Sequence, residues 1–304
     1  MAGGPAGRRP GAGMWLDAVR RLLAFAGLYL VLTLPLQLWT GRPDAPASRG
    51  ALFASAALTL AAAVIAGVVM LRGHGRAAGA LGFAFTRSSA GEIGRGLTIG
   101  TAVTAIAVAL MMAAGAVRYE AEAGGPASLA MVLFQDTGLL AVAAAAEEAL
   151  FRGYPFQLVA QAFGPTAAIL TTSAGFAFAH AANPHVTGLG LANIFLAGVL
   201  LGLAYYRTRS LWFATALHLG WNWTLAVLAD LPTSGLEMDT PLYRPVLAGP
   251  AWLTGGDFGP EGGLLVTIAV LLAIGMVAWW GRLAESPEMR ALRPLVDGDD
   301  NGKG

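Results

Sequence analysis

Eight apolar stretches, each about long enough to cross ~30 Å of hydrocarbon as a helix, recur along this chain. They fall at about residues 20–40, 51–72, 95–117, 136–160, 164–182, 187–206, 210–230 and 262–281. Backbone N–H and C=O groups in lipid must be satisfied within the protein, so spanning segments are helices or closed barrels. Runs this long select helices. Only 12% of the residues are charged, about half the ~25% of ordinary soluble domains. The expected fold class is therefore all-α: a polytopic membrane protein of about eight transmembrane helices, forming one integral-membrane domain over 1–304. Mobile tails are expected over 1–13 and 284–304, and the stretch 79–97 reads as an interfacial segment rather than a further span.

Charge placement orients the bundle. Arg8, Arg9, Arg20 and Arg21, the arginines from Arg72 to Arg95, Arg207 and Arg209, and Arg282, Arg290 and Arg293 all fall on one side if there are eight spans. Glu120, Glu122, Glu237, Asp239 and Asp257 fall on the other. By the positive-inside rule both termini are cytoplasmic and the protein sits in the cytoplasmic membrane as a multi-pass protein. The first span is longer than the ~7–15-residue core of a signal peptide, so it reads as an uncleaved anchor despite the Ala45–Ala47 cleavage-like motif. A net charge of +1 gives no nucleic-acid footprint, and the absence of cysteine removes disulfides and thiolate metal sites.

Against this background, Glu147, Glu148 and Arg152 stand out in LLAVAAAAEEALFRGYPF. Charged groups at the centre of a membrane helix cost about 2.5–3.5 kcal/mol each on insertion scales and usually face a cavity or a bundle interior. Glu148 and Arg152 are i and i+4 and share a face, whereas Glu147 is rotated by about 100°. One carboxylate can hold the arginine while the other stays free as a general base. On that split, loss of Glu148 should hurt less than loss of Glu147. The blander reading, an ion-pair staple between helices, needs one acid and not two.

His180 closes the fifth stretch, with Phe176 four residues earlier and Asn183–Pro184 marking the helix end. Glu147 and His180 lie about 16 residues either side of Gly164, roughly 24 Å along each arm, which puts them level in an antiparallel hairpin. His218 and Asn222 are again i and i+4 on one face. Matching their depth requires the hairpin around Pro155, Gln157 and Gln161 to project beyond the hydrocarbon. An interhelical hydrogen bond alone, worth ~0.6 kcal/mol on average, is the bland alternative for Asn222. His74 and His185 are assigned no chemistry, Gln135 and Asp136 read as caps or solvent-facing groups, and Trp221 and Trp223 as cavity walls. Gly96-x-x-x-Gly100 and Gly198-x-x-x-Gly202 read as close helix packing.

Three motifs now stand in order on three membrane helices: Glu-Glu-x-x-x-Arg at 147–152, Phe-x-x-x-His at 176–180 and His-x-x-x-Asn at 218–222. Together they resemble the CPBP intramembrane proteases, also called the Abi or type II CAAX prenyl endopeptidase family, over about residues 90–230. The resemblance implies peptide-bond hydrolysis of a membrane-associated peptide or lipidated protein. It implies that Glu147 and His180 activate water, that His218 and Asn222 stabilise the oxyanion, and that Arg152 and Glu148 hold the site. The family often carries a metalloprotease label, and Glu147, His180 and His218 match the His₂Glu ligand list of some zinc sites. No H-E-x-x-H is present, and the reading leans to a glutamate mechanism without a cofactor, zinc being the alternative. Two other classes stay open at this point: a proton-coupled transporter, and a non-catalytic partner-binding protein using the same polar cluster.

Overall fold

The computed structural model describes residues 12–40, 48–238 and 241–297. Arg8, Arg9, Arg42, the Ala45–Ala47 motif, Asp239 and residues 298–304 lie outside them. A helix sits at each apolar stretch: α1 (Ala12–Thr40), α2 (Arg49–Gly73), α3 (Ser89–Ala113), α4 (Pro126–Arg152), α5 (Tyr154–Phe163), α6 (Pro165–Ala179), α7 (Gly188–Thr208) and α8 (Leu211–Trp223). A short helix α9 (Ala251–Thr254), then α10 (Leu264–Trp279) and α11 (Pro287–Ala291), follow. By length and composition α2, α3, α7 and the stretch Pro126–Phe163 are apolar enough to cross a membrane, and α6 and α10 are shorter apolar helices. The chain is a mostly helical, multi-pass membrane protein.

Caps fix where these helices begin. Ser48 accepts from Ala51 N, Thr187 from Gly190 N and Ser210 from Phe213 N, each satisfying a first-turn amide. Ser210 does more, since its hydroxyl also donates to buried Glu92 on α3 at 2.6 Å. That bond ties the start of α8 to α3, its main packing partner. A Cβ at Gly100 would lie 2.1 Å from the Leu217 carbonyl oxygen, and one at Gly220 would lie 2.7 Å from that of Leu97. The backbones touch where the glycines sit, as small-xxx-small spacing predicts. His218 follows Leu217 directly, so this contact sets its depth.

The structure departs from the sequence reading at five places. The 136–160 stretch is two helices, because the chain breaks at Gly153 (ψ −128°), where a Cβ would meet the Ala149 carbonyl at 2.2 Å. Pro155, in the first turn of α5, cannot continue the α4 ladder. Gln157, in the 155–165 segment, is not a surface group but fully buried: it donates to the Ala80 carbonyl at 2.9 Å and accepts from Leu295 N at 3.0 Å. The expected C-terminal tail is packed as far as it is described, with Leu283, Met289 and Leu295 buried and Arg209 paired to Asp297 at 2.8 Å. Asp136 is no solvent-facing cap but is completely buried, bonded to Arg49 Nε at 2.7 Å.

Fifth, the fold is not purely helical. Strands β1 (Val117–Ala121) and β2 (Tyr243–Leu247) form an antiparallel ribbon with Glu120 opposite Arg244, and that pair is joined at 2.6 Å. Tyr119 donates to the Ala229 carbonyl and Tyr243 to that of Leu228, at 2.9 and 2.6 Å. Both acceptors lie at the end of the π-turn Thr224–Leu228 that follows α8. Burial pushes the Tyr119 phenol up to about 12, so it stays a donor.

Gly100→Val should lower thermal stability in detergent by the equivalent of about 1–3 kcal/mol, the range for overpacked cores. Gly91→Val, on the same helix with no atom within 4 Å of its would-be Cβ, is the control for valine's helix propensity. Equal melting temperatures for the two variants would reject the close α3–α8 contact.

Candidate active site

Glu148 is the most enclosed group of the cluster. Neither it nor Arg152 has any exposure, and Arg152 Nη1 donates to Glu148 Oε1 at 3.1 Å, the i,i+4 pair the spacing predicts. The same oxygen lies 2.9 Å from His218 Nδ1 on α8. A carboxylate that already accepts from an arginine can only accept from the ring as well, so Nδ1 carries the proton. The other imidazole nitrogen, Nε2, then faces Glu147, whose Oε2 lies 3.8 Å away. His218 thus stands between the two carboxylates, one buried and one a third exposed.

Arg152 reaches two further helices. Its Nη2 donates to the Gly198 carbonyl on α7 at 3.1 Å, and its guanidinium stacks on Phe176 of α6 at 4.5 Å. A Cβ at Gly198 would sit 2.9 Å from Ser173, so α6 and α7 meet closely where that carbonyl is needed. Phe176 is the hub of the apolar side, with ring centroids 4.6 Å from His180 and 5.9 Å from His218. His180 turns Nδ1 to the Phe176 carbonyl at 2.8 Å. A carbonyl only accepts, so Nδ1 holds the proton and Nε2 keeps its lone pair.

Glu147, His180, His218 and Asn222 line one cavity of about 350 Å³ between α2, α4, α6, α7 and α8. Glu148 and Arg152 lie behind its wall. Leu52, Ala56, Leu139 and Ala143 make one side apolar, while Asn183, Ser234 and Glu261 add polar groups at the other. No donor among the described residues bonds to Glu147 Oε2. His180 and Glu147 share the cavity as their equal depth predicts, although α5 intervenes and the nearest imidazole to Glu147 is His218. Trp221 lines the cavity; Trp223 instead donates to Thr137 at 2.9 Å. His74 lies elsewhere, 3.0 Å from the Tyr154 hydroxyl, and His185 lies 4.0 Å from Asp257.

Glu261 is the site residue that the sequence reading passed over. It falls in a stretch rich in glycine and acids that reads as an external loop, and only its late return to α8 brings it into the cavity. The zinc alternative fares poorly on geometry. Among the described residues no three His, Asp or Glu side chains gather closely enough to share an ion. His218 Nδ1 is committed to Glu148, His180 Nδ1 to a carbonyl, and 3.8 Å separates His218 Nε2 from Glu147. The residues as arranged do not fit a His₂Glu centre, and a metalloprotease assignment is not supported.

Residues 126–224 match the family model described as type II CAAX prenyl endopeptidase Rce1-like. The chain carries a domain of that family. All six motif residues fall within the matched stretch, and the family that this stretch matches is one of peptide-bond hydrolases. No curated protein and no solved structure matches it.

Within the Rce1-like domain the two glutamates should separate by stability. Glu148→Ala strands Arg152 without its counter-charge, a change that costs about 3–5 kcal/mol in buried pairs. Glu147→Ala strands nothing. Melting curves in detergent should therefore fall sharply for the first and hold for the second, and matched curves would reject the division.

Proposed function

We propose that the chain is an intramembrane endopeptidase that hydrolyses a peptide bond of a membrane-associated peptide or lipidated protein in this cavity. It would cross the cytoplasmic membrane eight times with both termini cytoplasmic, as its arginine-rich connections favour. One observation carries the reading: Glu147, one of whose carboxylate oxygens has no protein donor, lines a cavity shared with two imidazoles and an amide.

Glu147 acts as general base. A water held between its carboxylate and the Nε2 lone pair of His180 loses a proton to Glu147 as the water oxygen bonds to the peptide carbonyl carbon. The carbonyl oxygen takes up the displaced electron pair. His218 and Asn222 supply its donors. Glu147, Glu148 and Arg152 together carry one negative charge, so a second proton on His218, at Nε2, makes the cluster neutral and aims a cationic N–H at the oxyanion. Collapse of the tetrahedral intermediate breaks the C–N bond while Glu147 returns its proton to the leaving nitrogen. The products are a carboxylic acid and an amine.

The geometry revises the division of labour between the glutamates. Glu148 is not only the arginine's partner; it also holds the tautomer and direction of His218. Its removal should therefore cost activity as well as stability. The apolar wall from α2 and α4 suits a hydrophobic or lipidated substrate segment.

Glu147→Gln should lower kcat by about 10²–10⁴-fold, the usual contribution of a general base, without moving the melting temperature. The assay is cleavage of a quenched fluorogenic peptide with an S-farnesylated CAAX terminus, beside its unlipidated form. Full activity in this variant would sink the mechanism. Activity lost to a chelator and restored by zinc would overturn the glutamate route in favour of metal.

A further inference from the structure

Among the described residues the cavity wall holds one carboxylate besides Glu147, and it lies outside the stretch 126–224: Glu261. It is almost wholly buried, in the turn Pro260–Gly262 that precedes α10. Both of its oxygens are used. Oε1 accepts from Trp221 Nε1 at 3.0 Å, and Oε2 accepts from Ser234 Oγ at 2.7 Å and from the Ser234 amide. Bonds to a charged acceptor away from water are among the stronger ones in proteins.

The two ends of this bridge lead to different helices of the site. Trp221 adjoins Asn222 on α8. Ser234 adjoins the loop that follows α6: its carbonyl accepts from Asn183 Nδ2 at 2.9 Å, and Asn183 N bonds back to the His180 carbonyl at 3.1 Å. The next residue, Gly235, approaches the same loop so closely that a Cβ would lie 2.1 Å from the Pro184 oxygen. Ser234 itself has φ +50°, a left-handed conformation that a serine adopts only when its surroundings impose it. Glu261 is in turn anchored through its own carbonyl, which accepts from Asn193 of α7 at 2.8 Å.

We infer that Glu261 is a positioning residue whose carboxylate spans Trp221 and the Ser234 turn and so sets the separation of Asn222 from His180. The inference rests on the reading of His180 as a site residue. A glutamine here offers one acceptor oxygen and two unwanted donors, so it can serve Trp221 or Ser234 but not both.

The test measures kcat, KM and melting temperature for Glu261→Ala, Glu261→Gln, His180→Ala and the double variant His180→Ala/Glu261→Ala, using the farnesylated fluorogenic peptide. Misplacement of a reacting group by about 1 Å costs on the order of 10²-fold. Glu261→Ala should lose about that much in kcat with little change in KM, and Glu261→Gln should fall between it and wild type. In the double variant the loss should match that of His180→Ala alone, since groups acting as a unit are not additive. A merely structural role would multiply the two losses, and that outcome overturns the inference, as does wild-type kcat in Glu261→Ala. Full activity in His180→Ala would instead overturn the reading of His180, and the coupling with it. If Glu261→Ala does not fold, Asn183→Ala cuts the same link from the loop side; unchanged kcat there also overturns the inference.

Discussion

A single carboxylate oxygen, Glu148 Oε1, accepts from Arg152 on its own helix and from His218 on another, and the Glu148 side chain has no solvent exposure. In a bundle whose surroundings are as apolar as its core, van der Waals packing alone discriminates poorly between helix registers. A buried charge does discriminate, because a slip of one turn leaves it without a partner. Arg152 extends the constraint to α7 through the Gly198 carbonyl and to α6 through the face of Phe176. Four helices are thereby registered on one ion pair. Such a pair contributes little net stability after desolvation, but its integrity fixes the arrangement.

The same pair settles the chemistry next to it. With Nδ1 of His218 held by Glu148, Nε2 has one direction left, toward Glu147 and the cavity. His180 is fixed by a different device, a bond back to its own helix at the Phe176 carbonyl. Both imidazoles thus present Nε2, but only one of them stands beside a second carboxylate, so a lone pair on one and a proton on the other are both accommodated. The residues that hold these positions come from far along the chain. Asp136 and Arg49, with the Met238 carbonyl, pin one end of the turn over the cavity, and Glu261 pins the other.

Much of the site was legible in sequence because helical periodicity is local. The i,i+4 spacing of Glu148 with Arg152 predicts their pair, and the rotation of Glu147 away from it predicts a free acid. Equal chain distance from Gly164 brings Glu147 and His180 into one cavity, though the hairpin itself is interrupted by α5. What misled was polarity taken as exposure. Asp136, Gln157 and Glu261 read as interface or loop residues, yet each is buried and bonded to partners between 27 and 138 residues away. Nothing local marks such partners.

The apolar runs, the helix caps and the charged trio, all short-range features, therefore determined that this chain is a helical membrane protein with a polar site in its interior. Tertiary structure decided that His218 rather than His180 stands nearest Glu147, that the chain breaks at Gly153, and that a strained turn at Ser234 closes over the cavity. Each of these depends on where one backbone can approach another. The decisive contacts, Gly100 against Leu217 and Gly235 against Pro184, join segments that sequence spacing does not relate. Periodicity fixes the faces of a helix; only packing fixes which faces meet.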